Sequence, residues 1–360
     1  MSILTRLKRL RKALPEKELD AILISSQENR RYLSGFTGSA GYLLITQSAA
    51  ILGTDFRYTD QAAKQAPQFR VDRVTRGTEW FLKQVAELKV KKVGFEGQHM
   101  TFDTHAAFLK AIAEAPEDDR CELVPTSDMV DKLRAVKDKE EIKLLTRAIE
   151  ISDEALVEIS SNLKPGITEA EVAWELEKAM RARGAEGLAF DTIVGAGVNA
   201  AMAHHRADET VIQAGVPIVI DMGAKYKGYC ADLTRTVIIG EPDDQFKKIY
   251  GIVLRAQLEA EDRVRTGMTG ADTDKIARDI IAEAGFADFF GHSLGHGVGL
   301  AVHEYPRIGA KSPDVLEDGM LLTIEPGIYL SEWGGVRIED VVVMEKGRAR
   351  VISKAPKIGV

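Results

Sequence analysis

An internal repeat in the second part of this 360-residue chain limits the folds that the chain can adopt. The pattern Gly-x-Thr-x-Ala occurs at 166–170 and again at 267–271, 101 residues later. Each copy precedes an amphipathic helical pattern that stops at a glycine, and these glycines, Gly184 and Gly285, are also 101 residues apart. Several features that recur at one spacing are typical of a duplicated structural unit.

The two copies match on both sides of this helix. A long helical pattern precedes each copy, at 139–162 and at 244–265. The pattern Gly-x-Gly-Val follows each copy, at 195–198 and at 295–298. The sequence therefore predicts two related halves, each with two helices followed by strands.

Each half also has a carboxylate at the end of an apolar segment. Ile220-Asp221-Met222-Gly223 corresponds to Ile324-Glu325-Pro326-Gly327, 104 residues later. We expect the two halves to face each other, to share one central sheet, and to bring their equivalent carboxylates together near a pseudo-twofold axis. The second part of the chain is thus predicted to be an α+β domain with an internal pseudo-twofold repeat.

The first part of the chain alternates between strand and helix patterns, which indicates an α/β layer structure. The strand candidates are 21–25, 42–46, 51–54, 70–74, 92–95 and 121–124, and the helical patterns lie near 28–34, 58–66, 78–88 and 103–115. Pro125-Thr126-Ser127 interrupts the pattern, and a charged helix is expected to begin over 128–141. We therefore predict an N-terminal domain over 1–127 and a second domain over 128–360.

Composition excludes several classes of function. Lys and Arg number 48 against 55 for Asp and Glu, so the chain lacks the positive field of a nucleic-acid-binding protein. No apolar run approaches the roughly 20 residues of a membrane helix. Two cysteines, Cys121 and Cys230, provide no disulfide framework, which is typical of a cytoplasmic protein. Leu4, Leu7, Leu10 and Leu14 lie on one face of a basic first helix, which either packs on its own domain or lies on a membrane surface.

Four carboxylates in apolar strand segments suggest a metal site. A hairpin over 216–239 can place Asp221 beside Asp232, while Glu325 and Glu339 lie in two apolar segments of the second half. Isolated ionised carboxylates are too costly to bury without protons or cations. Two divalent ions would balance the four negative charges.

His296, in His292-Ser293-Leu294-Gly295-His296-Gly297, is the fifth candidate ligand. One imidazole with four carboxylates suits Mn²⁺, and also Co²⁺, Zn²⁺ or Fe²⁺, better than a thiolate zinc site. Two such ions about 3.5–4 Å apart can hold a bridging water that is deprotonated near neutral pH and attacks a carbonyl carbon.

Each of these residues also has a purely structural interpretation. Asp221 and Asp232 could accept backbone hydrogen bonds at strand ends, Glu325 could end a strand before a proline, and His296 could be a hydrogen-bonded core histidine. Gly195-x-Gly197-x-x-Ala200 resembles a dinucleotide-binding fingerprint, but the polar segment after it leaves no room for the helix that this fingerprint requires.

The motifs resemble the creatinase/aminopeptidase-P/prolidase family of metallopeptidases, which has the pita-bread fold. The resemblance covers nearly the whole chain. It is carried by RAVKDKEEI (134–142), FDTIVGAG (190–197), IDMGAKYKGYCADLTRT (220–236), HSLGHGVGLAVHEYP (292–306), LTIEPGIY (322–329) and GGVRIED (334–340), and in the first domain by NRRYLSGFTGSAG (29–41) and TDFRYTDQA (54–62).

The resemblance implies roles for these residues. The family's metal ligands fall on Asp221, Asp232, His296, Glu325 and Glu339, with Asp232 and Glu339 bridging both ions. Glu325 would also move the proton of the attacking hydroxide.

The resemblance extends to residues outside the ligand set. His303 would donate to the tetrahedral oxyanion, and His292 would line the proline pocket. His204 would contact the substrate near the scissile bond, although His205 is one position away and the family's usual proline before this histidine is replaced by Ala203. Arg337 could orient Glu339 or hold a substrate carboxylate.

The resemblance also implies the activity. The expected function is an Xaa-Pro aminopeptidase that uses a metal-bridged hydroxide, acts on proline-containing peptides and forms a homo-oligomer, with a dimer favoured. An Xaa-Pro dipeptidase is the alternative. A more remote alternative is a pita-bread module that binds peptides or proteins without catalysis, which would be expected to lack several ligands.

Overall fold

The computed structural model describes residues 2–358, which form two compact units that divide after Arg134. Among the described residues, no helix combines the length and the hydrophobicity needed to cross a bilayer. The elements of the first unit are α1 (Ile3–Glu16), β1 (Ala21–Ile24), α2 (Gln27–Ser34), β2 (Tyr42–Thr46), β3 (Ala50–Thr54), α3 (Thr59–Gln65), β4 (Arg70–Arg73), α4 (Gly77–Leu88), β5 (Lys92–Glu96), α5 (Phe102–Glu114), β6 (Glu122–Thr126) and α6 (Met129–Ala135).

The first unit is an α/β structure around a six-stranded mixed sheet of order β4-β3-β2-β1-β5-β6. Helix α1 buries Leu7, Leu10 and Leu14, and Arg6 donates a 2.9 Å hydrogen bond to the Tyr32 carbonyl, so the basic first helix packs on its own unit. Leu4 does not join this buried face and is 61% exposed.

Two local predictions around 125–141 were wrong. Pro125 does not end the strand pattern but lies inside β6, which is an edge strand, where a residue without an N–H is tolerated. The expected single helix over 128–141 is two helices, because residues 136–138 are extended: the Lys137 amide donates to the Gly319 carbonyl at 2.9 Å, and the Asp138 side chain caps the second helix.

Helix α6 packs with the first unit, which explains why the units divide later than residue 127. The Tyr32 hydroxyl donates to the Leu133 carbonyl at 3.0 Å. The Arg134 guanidinium donates to the Asn29 side chain at 2.8 Å.

The second unit contains two halves with matching helix pairs. Its elements are α7 (Lys139–Ser160), α8 (Glu169–Ala182), β7 (Gly187–Leu188), β8 (Ile193–Ala196), β9 (Pro217–Met222), β10 (Ala224–Tyr226), β11 (Tyr229–Cys230), β12 (Leu233–Ile238), α9 (Asp244–Arg263), α10 (Gly270–Glu283), β13 (Gly295–Gly297), β14 (Glu304–Ile308), β15 (Leu321–Ile324), β16 (Gly327–Leu330), β17 (Gly334–Arg337), β18 (Asp340–Glu345) and β19 (Arg348–Val351).

Local sequence signals fix the second helix of each half. Thr168 and Thr269 each form a capping box with the residue three positions on, so α8 and α10 begin 101 residues apart, as the repeat predicts. Gly184 and Gly285 follow the helix ends with φ of +99° and +86°, values that favour glycine.

The halves keep separate sheets, which corrects the expectation of one shared sheet. The first half has β12-β9-β8 and a small sheet β11-β10-β7, and the second half has β14-β13-β15-β18-β19 and the hairpin β16-β17. The two halves meet where β12 lies beside β17: the Arg337 amide donates to the Thr236 hydroxyl at 3.0 Å, and that hydroxyl donates to the Arg337 carbonyl at 2.9 Å.

Candidate active site and metal centre

Three of the four candidate carboxylates, those of Asp232, Glu325 and Glu339, lie just outside the end of a strand. Asp221 is within β9, opposite Thr234 of β12, and Asp232 lies two residues before Thr234, so the two carboxylates come from adjacent strands as predicted. Glu325 directly follows β15, and Glu339 lies between β17 and β18. The expectation that Glu339 lies inside an apolar strand segment was therefore wrong.

Backbone hydrogen bonds at these breaks hold the second-half acids in place. The Glu325 amide donates to the Leu294 carbonyl at 2.8 Å, which joins Glu325 to the segment that carries His296. The Glu339 amide donates to the Thr234 carbonyl of the first half at 3.0 Å, and not to a strand of its own sheet. Glu339 is thereby fixed against the first half, beside Asp232.

The candidate ligands gather at one buried point. Asp232, His296 and Glu339 each offer a ligand atom within 4.8 Å of the other two. His296 Nε2 lies 3.6 Å from Asp232 Oδ2 and 3.4 Å from Glu325 Oε1. Asp221 lies close enough for its charge to raise the pKa values of Asp232, Glu325 and Glu339.

The electrostatics of this cluster suit cations. Burial, followed by the charge of Glu339, raises the pKa of Asp232 well above its usual range. Burial and the charge of Glu325 do the same to the pKa of Glu339, and burial raises the pKa of Glu325 to about 8. A single guanidinium, that of Arg337, opposes all three shifts. One cation does not balance four carboxylates.

The donor atoms also fit metal ions. Within residues 2–358, Asp221 Oδ1 and Glu339 Oε1 are buried and have no hydrogen-bond partner, which is costly unless a cation binds them. Burial, followed by the charge of His303, lowers the pKa of His296 to about 4, so its imidazole is neutral at pH 7, as a metal ligand must be. Carboxylate oxygens with one neutral imidazole are a donor set for divalent metals.

Arg337 contacts the cluster differently from the sequence prediction. Its buried guanidinium donates to Asp221 Oδ2 at 2.7 Å rather than to Glu339, whose Oε2 accepts from the Thr234 hydroxyl at 2.7 Å. Arg337 also donates to the Tyr329 hydroxyl at 2.8 Å and to the Ala203 carbonyl at 3.3 Å. The guanidinium is thus occupied by protein partners.

Tyr329 is a site residue that the sequence analysis missed. Its hydroxyl accepts from Arg337 and lies 2.8 Å from His292 Nε2, while His292 Nδ1 lies 2.8 Å from the Ser293 carbonyl. Because that carbonyl only accepts, Nδ1 carries the proton and Nε2 accepts from Tyr329. The signal that could have found Tyr329 is a tyrosine in an apolar hairpin, since a buried hydroxyl needs a partner.

The structure separates the two adjacent histidines. His204 lies close enough to His292 and His303 for its charge to help lower the pKa values of both. Burial is the largest cause for each ring, and for His292 the charges of Arg337 and Arg278 contribute more than that of His204. His205 instead points to Glu169: its Nε2 is 2.6 Å from Glu169 Oε2, and its side chain is 8% exposed. His205 therefore contacts a buried carboxylate of α8.

His303 is exposed beside the buried cluster, with its ring centroid 4.3 Å from that of His296. The geometry thus combines a buried acidic centre with three further histidines, His204, His292 and His303, next to it. Such an arrangement can bind divalent cations and present hydrogen-bond donors to a substrate above them.

Comparisons with known proteins agree with this geometry. Residues 143–346 match metallopeptidase family M24, and residues 6–136 match the creatinase/prolidase N-terminal domain. The chain belongs to metallopeptidase family M24. Its fold is therefore that of the pita-bread metallopeptidases, with the creatinase-type domain before it, and the protein is a metal-dependent peptidase.

Similar proteins match this chain over nearly its whole length. The Xaa-Pro dipeptidase from Bacillus anthracis is 43% identical, with a TM-score of 0.94 over 100% of this chain and 99% of that one. The X-Pro aminopeptidase from Thermotoga maritima is 40% identical, with a TM-score of 0.89 over 98% of both chains. The Xaa-Pro dipeptidase of Pyrococcus horikoshii is 36% identical in sequence over 98% of this chain and 97% of its own.

Proposed function

We propose that this peptidase hydrolyses the bond between an N-terminal residue and a following proline, with two divalent metal ions as cofactors. The observation that carries the proposal is the buried cluster of four carboxylates and a neutral imidazole, in which Asp221 Oδ1 and Glu339 Oε1 have no partner among residues 2–358. The printed names of the relatives support the proline specificity.

In this proposal Asp221, Asp232, His296, Glu325 and Glu339 would hold the metal ions. Asp232 and Glu339 come from different halves, and the hydrogen bond from the Glu339 amide to the Thr234 carbonyl brings them together. When bound, the ions supply Lewis acidity and lower the pKa of a water molecule.

Glu325 is the proposed proton carrier. The Thr323 hydroxyl donates to Glu325 Oε1 at 3.2 Å, so Oε2 is left to accept the proton of the attacking water and to pass it to the leaving nitrogen.

The histidines are proposed to bind the substrate. His303 donates to the developing oxyanion, His204 contacts the substrate near the scissile bond, and His292 lines the proline pocket. Tyr329 fixes the His292 ring through its 2.8 Å hydrogen bond. We assign Arg337 to positioning Asp221 rather than to holding a substrate carboxylate, because its guanidinium already has protein partners.

Peptide length separates the two forms of this activity. We propose an Xaa-Pro aminopeptidase, and the dipeptidase names of the Bacillus anthracis and Pyrococcus horikoshii relatives favour an Xaa-Pro dipeptidase as the second candidate. A prolyl bond needs a dedicated enzyme because its nitrogen offers no N–H.

Assays of Ala-Pro, Ala-Pro-Ala and Ala-Ala-Ala with the metal-loaded protein test this proposal. An aminopeptidase cleaves Ala-Pro-Ala before the proline and leaves Ala-Ala-Ala intact. Cleavage of Ala-Pro alone would assign the dipeptidase. Cleavage of neither prolyl peptide, or equal cleavage of Ala-Ala-Ala, would overturn the proline specificity.

We further propose Mn²⁺ as the native metal, with Co²⁺, Zn²⁺ and Fe²⁺ as other ions that the same donors accept. The oxygen-rich donor set supports this assignment. The family resemblance supports a homodimer, and the near absence of cysteine supports a cytoplasmic location. Metal analysis of the protein purified without added metal tests the choice of ion.

A further inference from the structure

The segment that carries His303 is held by a buried ion pair that the proposed chemistry does not use. Residues 298–303 connect β13, which contains His296, to β14, which begins at Glu304. Lys137 Nζ lies 3.3 Å from Glu304 Oε2, and the two side chains are 2% and 3% exposed. Lys137 belongs to the RAVKDKEEI segment, and Glu304 directly follows His303 in the HEYP segment; neither Lys137 nor Glu304 has a role in the site so far.

The Glu304 carboxylate lies at the centre of this connection. Its Oε1 accepts from the Ala301 amide at 2.9 Å, and the Gly299 amide donates to the Ala301 carbonyl at 3.0 Å. A Cβ added at Gly299 would lie 2.5 Å from Glu304 Oε2, so only glycine lets the carboxylate fit. The Gly299 carbonyl accepts from the Cys230 amide at 2.7 Å, two residues from Asp232. The position of this carboxylate therefore decides where the loop, and with it His303, lies.

Lys137 is itself fixed by its backbone. Its amide donates to the Gly319 carbonyl at 2.9 Å, and Val136 forms an isolated bridge with Met320, just before β15. This is where the predicted single helix breaks into α6 and α7. The break lets the Lys137 side chain enter the interior instead of projecting from a helix.

A buried ion pair adds little stability, because removing two charges from water costs about as much as their attraction returns. The ion pair does fix the positions of its two side chains, because each buried charge has to lie next to its partner. We propose that Lys137 is a positioning residue: through Glu304 it holds the 298–303 connection so that His303 faces the substrate beside His296. The proposal rests on the proposed oxyanion role of His303.

A double-mutant cycle between Lys137→Met and His303→Ala tests this proposal, with kcat and KM measured on the prolyl peptide that the wild type cleaves. His303→Ala alone is expected to lower kcat by roughly 10²–10³-fold. Lys137→Met alone is expected to lower kcat by about 10–100-fold, as losses of supporting residues do, with little change in KM and with unchanged metal content per chain. In the His303→Ala background the same change should cost less than about 3-fold.

The readouts distinguish positioning from general destabilisation. The loss of thermal stability caused by Lys137→Met should be the same in both backgrounds, while the loss of kcat should not. An equal loss of kcat in both backgrounds would overturn the proposal, and so would unchanged kcat in Lys137→Met. If His303→Ala alone leaves kcat unchanged while Asp232→Asn is inactive, the oxyanion role fails and this proposal fails with it, but the metal site stands.

Three further variants keep the test decisive if Lys137→Met folds poorly. Gly299→Ala pushes the Glu304 carboxylate aside and should reproduce the loss of kcat, again only when His303 is present. Lys137→Arg keeps the charge and should retain more activity than Lys137→Met. Lys139→Met is the matched control, because Lys139 is exposed two residues away, and it should match the wild type in kcat and stability. Wild-type kcat in Gly299→Ala would contradict the proposal.

Discussion

The two halves of the second unit share a scaffold but differ in the chemistry that the scaffold supports. In each half a carboxylate on the second helix binds an amide at the strand that faces the site. Glu169 Oε1 accepts from the Ala196 amide at 2.7 Å, and Asp274 Oδ1 accepts from the Leu294 amide at 3.0 Å. Both carboxylates are buried.

The two helix carboxylates differ in the second side chain that each one binds. Glu169 binds His205, which fixes the loop that carries His204. Asp274 binds Arg278, which donates to the carbonyls of Phe290 and His292. Each half therefore uses its helix carboxylate to place one histidine of the site.

The strands that face the site, β8 and β13, differ more between the two halves than these helix carboxylates do. In the Gly-x-Gly-Val pattern, Ala196 of the first half takes the position of His296 in the second. The first half provides two aspartates, and the second provides two glutamates and the imidazole. The two halves thus share the parts that position side chains and differ in the side chains at the centre.

The largest effect is expected when the first half loses a carboxylate of the proposed metal centre. Asp232→Asn removes one charge while keeping the side-chain size, so the protein should fold but lose activity by roughly 10⁴-fold or more, as for the loss of a central catalytic group. Steady-state kinetics and circular dichroism check this. Asp191→Asn, at an exposed position, is the control. Full activity of Asp232→Asn in chelated buffer would contradict the metal assignment.

The adjacent histidines of the first half are expected to separate activity from stability. His204→Ala should lower kcat/KM by up to about 100-fold with little change in melting temperature, because His204 is exposed beside the site. His205→Ala should cost about 1–3 kcal/mol of stability, because it removes the partner of buried Glu169. Peptidase assays and denaturant unfolding check both. The reverse pattern would assign His205 to the site.

The smallest expected effect concerns two carboxyl groups, those of Asp153 in α7 and Glu261 in α9, which hold the C-terminal segment against these long helices. Asp153 accepts from the Lys354 and Ala355 amides, and Glu261 lies 3.4 Å from Lys357 Nζ. Burial raises the pKa of Asp153 to about 6. Burial and the neighbouring Asp340 raise the pKa of Glu261 to about 8.

Both folded-state pKa values exceed those of the unfolded chain, so each carboxyl lowers stability as it ionises. As the pH rises, the loss of stability caused by ionisation of Asp153 is complete near pH 6, while the loss caused by ionisation of Glu261 continues to about pH 8. Between pH 6.5 and 8 the free energy of unfolding should fall by up to about 1.4 kcal/mol per pH unit through Glu261. Glu261→Gln should remove this contribution and make the slope shallower, and Asp153→Asn should leave the slope unchanged. Urea unfolding across this range checks the comparison, and an unchanged slope in Glu261→Gln would contradict it.

Sequence alone predicted the parts of the fold that depend on local signals. The threonine caps at Thr168 and Thr269 and the glycines after the helices act within a few residues, so the helix pairs of both halves follow from the repeat. The acidic cluster followed from charge, because buried carboxylates in apolar segments need cations. The strand break at Glu339 did not follow, since it depends on a hydrogen bond from the Glu339 amide to a distant carbonyl, that of Thr234.

Long-range side-chain contacts were the other part that sequence could not provide. Nothing near Lys137 indicates that its partner is Glu304, 167 residues away. Nothing near Arg337 indicates that it contacts Asp221 rather than Glu339, because this depends on how the two halves meet. The different contacts of His204 and His205 likewise depend on the position of Glu169.

The most direct test of the central claim is the number of metal ions per chain, measured by elemental analysis after dialysis against Mn²⁺ and removal of free metal. The account predicts two ions in the wild type, with prolyl-peptide hydrolysis that chelation abolishes and added Mn²⁺ restores, and fewer than two ions in Asp232→Asn. A wild-type protein that hydrolyses the peptide with no bound metal, or that binds no divalent ion at all, would contradict the account.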